Sequence, residues 1–185
     1  MNAIEIMNQE HKYISRMLKI VRAHCFRVLK AEEINFDDFD KIVKFIINYA
    51  DKHHHKKEED LLFDKMIEHL GGTAEKVIKN GMLVEHDLGR LYIKDLRRAL
   101  ENVKSGDEES KLDLIANAIS YTHLLERHID KEDRVIYKYA ERELEASILD
   151  LINKECIEFE DKNNDIKEKC LGILEELERK YIEEE

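Results

Sequence analysis

Two stretches decide how this chain reads: His54-His55-Lys56-Lys57-Glu58-Glu59-Asp60-Leu61-Leu62-Phe63, and His128-Ile129-Asp130-Lys131-Glu132-Asp133-Arg134-Val135-Ile136-Tyr137. Each sets a histidine four residues before a glutamate, adds a second acid, and closes on an apolar run ending in an aromatic ring. At about 100° per residue, positions i and i+4 share one helix face. Traced outward, that face carries Val43, Ile47, Ala50, His54, Glu58 and Leu61 in the first case. In the second it carries Leu114, Ala118, Tyr121, Leu125, His128, Glu132, Val135 and Tyr139. Both pairs therefore sit inside otherwise apolar stripes.

Two further stripes each hold one histidine. Ile4, Met7, His11, Ile14, Leu18, Val21, Cys25 and Val28 predict a helix over about 4–30, and Met82, His86, Gly89, Ile93, Leu96 and Leu100 predict one over about 82–104. The arrangement is duplicated. Glu10-His11 precedes His54/Glu58, and Glu85-His86 precedes His128/Glu132, with histidine spacings of 43 and 42 residues. Two copies of a helix pair predict an antiparallel up-down-up-down four-helix bundle with a pseudo-two-fold axis.

Composition agrees. The chain has 185 residues, no proline and only six glycines, too few turn residues for a many-stranded fold. No Gly-rich turn suits a nucleotide phosphate. The reading is all-α. Asn35 predicts the start of a second helix that stops at Gly71-Gly72. Thr73 predicts a cap for a short turn ending at Asn80-Gly81, and Ser105-Gly106 ends the third helix. The fourth runs from Asp107 to about Glu145. Residues 1–145 form the bundle, and 146–185 an acidic helical extension rather than a separate domain. Ser147 with Asp150 resembles a capping box, and Asn163-Asn164-Asp165 predicts a break between helices at 148–161 and 166–183. Two readings suit that extension, a solvated appendage or a homodimer contact.

A formal net charge of −11 argues against nucleic acid or an anionic membrane surface as partner. Apolar runs are too short to span a bilayer, and no secretory leader is legible. Three cysteines without CxxC spacing fit a cytoplasmic location.

Buried charges are paired or bind metals, because an isolated carboxylate in an apolar interior is costly. His11, His54, His86 and His128 with Glu58 and Glu132 would supply four nitrogens and two bridging-capable carboxylates, enough for two ions about 3.5–4 Å apart. Imidazole with carboxylate suits iron, manganese or zinc. Within the triple run, His54 continues the stripe, whereas His55 and Glu59 turn about 100° away and read as surface or supporting groups. His24, His69 and His123 fall off the stripes. Tyr121 and Cys25 read as core.

Glu10-His11, "HHHKKEEDLLF", "VEHDLGRL" and "RHIDKEDRVIY" together resemble the hemerythrin-like, HHE cation-binding family, over about residues 1–142. The resemblance implies a four-helix bundle holding a non-haem, carboxylate-bridged di-iron centre with an oxo or hydroxo bridge. Carried over by position, His11, His54, His86 and His128 would be terminal ligands and Glu58 and Glu132 the bridges. One departure stands out. The oxygen-carrying members use a fifth histidine one turn from the first on the third helix, where this chain has Met82 and Arg90. One iron is then short of a ligand: it is left under-coordinated, or is completed by water or by a further side chain, for example His24, His55 or His123.

The function expected is binding or sensing of dioxygen or nitric oxide. The alternative is a di-iron redox enzyme of the peroxidase, oxidase or nitric-oxide-reductase type, acting on peroxide or a diatomic with electrons from a redox partner protein. Ferritin-like storage is disfavoured, since no Glu-x-x-His occurs.

Overall fold

The computed structural model describes residues 1–182. Asn2 opens α1 (Ala3–Leu29): its side chain accepts from the Glu5 N–H while the Glu5 carboxylate accepts from the Asn2 N–H. The Asn35 side chain caps α2 (Phe36–Phe45) through the Asp38 N–H. The same rod continues through π-helical turns at Ile46–His55 and Glu58–Phe63 into α3 (Asp64–Leu70), and stops at Gly71, whose φ of +55° glycine tolerates best. The third rod is α4 (Gly72–Val77), a π-helical turn at Ile78–Met82 and α5 (Leu83–Lys104). The fourth is α6 (Lys111–Lys131), a π-helical turn at Glu132–Ile136 and α7 (Tyr137–Glu143). These four rods form the antiparallel bundle, and α8 (Ala146–Tyr181) lies along it. The last three residues of the extension lie outside the described residues.

Four local expectations need correction. Asn80-Gly81 is no break, because a π-helical turn carries the third rod straight through it. Thr73 caps nothing; Gly71 stands before that helix. Ser147 makes no capping box, since Glu145 is the N-cap of α8 and gives no side-chain cap bond. Asn163-Asn164-Asp165 does not interrupt α8, and the Asn163 side chain donates back to the Phe159 carbonyl (2.8 Å). Asparagine lowers helix propensity by only about 0.5 kcal/mol, less than packing restores.

That packing also excludes the solvated appendage. α8 buries Ile152, Cys156, Cys170, Leu174, Leu177 and Tyr181 against its own bundle. Arg16 pairs with Glu178 (2.5 Å), and the Ala3 N–H bonds to Asn153 Oδ1 (2.8 Å). The apolar interior divides in two. One cluster, from Ile14 to Tyr49 and Ile93 to Ile129, fills one end; the other, from Ala3 to Met7, Leu62 to Met82 and Ile136 to Leu144, fills the opposite end. Between them lies a layer of buried polar side chains.

Candidate metal centre

Each of the four rods places a histidine in that layer. His11, His54, His86 and His128 are at most 2 % exposed, and Glu58 and Glu132 are fully buried. Their donor atoms converge. Glu58 Oε2 lies 3.5 Å from His54 Nε2 and 3.6 Å from His86 Nε2. Glu132 turns Oε2 towards His11 Nε2 (3.3 Å) and Oε1 towards His128 Nε2 (3.1 Å) and His86 Nε2 (3.8 Å). Two donors each about 2.1 Å from one ion stand roughly 3–3.5 Å apart, so these separations suit shared coordination. The donors gather in two groups that share Glu58: His11, His54, Glu58 and Glu132, and His55, Glu58, His86 and His128.

His55 is therefore inside, not on the surface. It is 3 % exposed, stacks on the His86 ring (3.9 Å), and belongs to the second group. Backbone geometry is the reason. The Lys56 N–H bonds to the Asp51 carbonyl, five residues back, and such a widened turn rotates each residue by less than the usual angle. Consecutive histidines then face the same interior. The fourth rod is α-helical through His128, and its next residue, Ile129, packs in the apolar core instead. His24 lies far along α1 against Phe39 and Tyr181, and His123 is exposed; neither joins the cluster.

A carboxylate holds the outer nitrogen of each of the four stripe histidines. Glu10 accepts from His54 Nδ1 and Glu85 from His128 Nδ1, both at 2.9 Å, each within its own half of the repeat. Glu59 accepts from His86 Nδ1 and Asp133 from His11 Nδ1, both at 2.6 Å, across the halves. Such partners fix the tautomer, aim Nε2 inward and strengthen it as a donor. Sequence reasoning allowed Glu59 as a supporting group, as it is here for His86, but marked Glu10, Glu85 and Asp133 only as echoes of the repeat. It also passed over Tyr137, whose hydroxyl donates to Glu58 Oε1 and whose ring stacks on His11 (5.5 Å).

The inward atoms lack partners. His54 Nε2, both ring nitrogens of His55, Glu58 Oε2 and both Glu132 oxygens are buried without a hydrogen bond. His86 Nε2 faces His128 Nε2 at 2.9 Å while both outer nitrogens serve carboxylates, so the two lone pairs require a cation or proton between them. Electrostatics point the same way. Burial opposes charge on His11 and His128, yet the carboxylates around them push each up to about 10. Burial and the neighbouring Glu132 raise the Glu58 carboxyl. An interior that draws in positive charge this strongly, from nitrogen and oxygen donors alone, fits a first-row metal.

The model of the hemerythrin HHE cation-binding domain matches residues 2–140, three quarters of the chain. The chain belongs to this family. No curated protein matches it. The family is a cation-binding one; the matched residues include the whole polar layer of the bundle, and the match ends before α8. The three cysteines are free and buried, with none in the donor groups. No helix among the described residues is long and apolar enough to cross a membrane. A cavity of about 140 Å³ reaches His55 and His86 between Ile46, Ile93 and Tyr121, with the exposed Lys94 and Arg97 on its wall.

Proposed function

We propose that this hemerythrin-type domain holds two iron ions and binds dioxygen or nitric oxide there. His11 and His54 would hold one ion and His55, His86 and His128 the other, with Glu58 and Glu132 placed between the two groups. One observation carries the reading: the donor groups share a carboxylate, and the His11/His54 group has one histidine fewer. An ion held by that group would have fewer imidazoles and room for a small exogenous ligand. His55 restores the five-histidine, two-carboxylate set that the third helix alone does not supply. Iron in this setting supplies reversible electron transfer to a bound diatomic. The chain's own part is to orient five imidazoles through their outer carboxylates, to keep water out with an apolar cluster on each side, and to hold the Tyr137 hydroxyl on Glu58 beside His11.

The test is optical. Protein reduced without air should develop new visible absorption on exposure to dioxygen, or a distinct spectrum with nitric oxide, at about two irons per chain. Iron-loaded protein that gives no change with either gas overturns the reading. Tyr137 favours a second one, since a buried hydroxyl at a bridging carboxylate can pass a proton during turnover. Catalytic consumption of peroxide or nitric oxide with a supplied reductant would identify the protein as a redox enzyme, whereas stoichiometric reversible change identifies a binding protein.

A further inference from the structure

Beside the metal layer lies a second buried cluster of charges that ligand geometry does not use. Lys57 is fully buried, yet no lysine is kept inside without partners. Its ammonium bonds to Glu10 Oε1 (2.5 Å) and to Glu160 Oε1. His53 Nε2 lies 3.1 Å from the same Glu10 oxygen and 3.0 Å from the same Glu160 oxygen. The Phe159 ring covers Lys57 (5.5 Å) and packs on His53 (5.4 Å). Glu10, His53 and Glu160 present donors close enough for a metal, but the Lys57 ammonium already bonds to both carboxylates. This is a charge network, not a third metal site.

Its geometry runs in one direction. Glu10 Oε1 serves Lys57 and His53 while Glu10 Oε2 accepts from His54 Nδ1. Glu160 comes from α8, the helix beyond the family match, and Lys167 anchors its other oxygen (3.1 Å). We propose that Glu160 is a positioning residue for the metal centre, acting through Lys57 and Glu10 to fix the His54 ring and the charge that Glu10 offers it. With Glu160 present, two carboxylates share the pull of Lys57 and His53. Without its charge Glu10 alone must balance both, and it accepts less strongly from His54. The imidazole then donates less to its metal, which weakens binding and disfavours the oxidised state. The fifth helix is in this way part of the centre's chemistry, and α8 is the route by which anything that moves it would reach the metal.

This inference rests on the proposed iron site, and the experiment separates the two. Full-length iron-loaded wild type, Glu160→Gln and, as a control, Glu158→Gln are compared by chelator competition, reduction potential and absorption spectrum. Glu158 is exposed on the same helix and, among the described residues, pairs with Lys154 alone (3.9 Å), so its variant makes the same charge change without touching the network. Expected for Glu160→Gln is an upward shift in potential, a moved spectrum and iron affinity lower by roughly threefold to tenfold, below the 10–100-fold typical of a direct partner of a ligand. Glu158→Gln should match wild type. A wild type without iron defeats the metal reading itself. An iron-loaded wild type with a folded Glu160→Gln that matches it overturns this inference alone, as does a lower melting temperature with no spectral or potential change. Should Glu160→Gln not fold, Glu160→Asp draws the carboxylate back from Lys57 and must shift the same readouts in the same direction; unchanged values again overturn the proposal.

Discussion

His54 and His55 are neighbours in sequence and both reach the polar layer, each in a different donor group, and that pair separates what residue patterns reveal from what they hide. The four stripe histidines were legible because each follows apolar residues at helical spacing, and Glu58 and Glu132 because each stands one turn on. His55 was not, since the angle assumed between successive residues belongs to an α-helix and the local backbone is wider. His55→Ala should therefore lower bound metal from about two ions per chain towards one, by elemental analysis, with loss of a ligand from the three-histidine group. Full retention of both ions would place His55 outside the ligand set. His24 offers a test free of metal. It is 4 % exposed beside Phe39 and Tyr181, with Asp38, Arg27 and Lys180 around it, and burial pushes it down to about 4. A histidine in the unfolded chain titrates near 6.5, so the unfolded state binds the extra proton between those values, and stability falls as pH drops through that window. Denaturant titrations at matched metal content should show His24→Leu losing about 2 kcal/mol less than wild type between pH 7 and 4.5. Equal losses would show that burial does not hold His24 below its unfolded value.

At the scale of elements, helix termini set by a side-chain cap or by a positive-φ glycine were readable: Asn35, Gly71-Gly72 and Ser105-Gly106 all end or begin rods. Breaks inferred from weak helix formers alone were not. Asn80-Gly81 and Asn163-Asn164-Asp165 lie inside continuous helix because tertiary contacts outweigh a few tenths of a kcal/mol of propensity. π-helical turns are the other element that propensity does not encode. Two of them begin at Glu58 and Glu132, equivalent positions of the repeat, which is where such turns recur in functional sites. Gly81 and Gly172 provide the check. Neither has a positive φ, and an added Cβ would meet no atom within 4 Å at either. Gly172→Ala should stabilise the protein by about 0.8–1 kcal/mol and raise the melting temperature by roughly 2–4 °C. Gly81→Ala should stabilise as well, by less in a π-helical turn. A true chain reversal at Asn80-Gly81 would instead make that alanine destabilising.

The described residues form two apolar clusters with a charged layer between them, and on the proposed reading metal is what would make that layer cohesive. Composition could say that the chain is helical; it could not say that the core is divided, because the division arises only when four rods bring their histidines to one level. Donors from all four rods meet only in the folded state, so an ion would bind it and not the unfolded chain, and each ion held at about a thousand times its dissociation constant would add about 4 kcal/mol. Chelation should lower the melting temperature on the order of 10 °C per ion for a chain of this size. The loss should be uneven. The cluster around Leu62, Met66, Ile136 and Leu144 is the smaller, whereas the cluster around Phe39, Phe45, Leu96 and Leu125 is larger and also holds Leu174, Leu177 and Tyr181 of α8. Amide hydrogen exchange of metal-free protein should accelerate most in α3, α4 and α7 and least in the middle of α5 and α6, because the layer that ties the smaller cluster to the larger has become a set of repelling, unpaired donors. Uniform acceleration across all rods would mean that the two clusters unfold as one and that the layer's cohesion does not depend on metal.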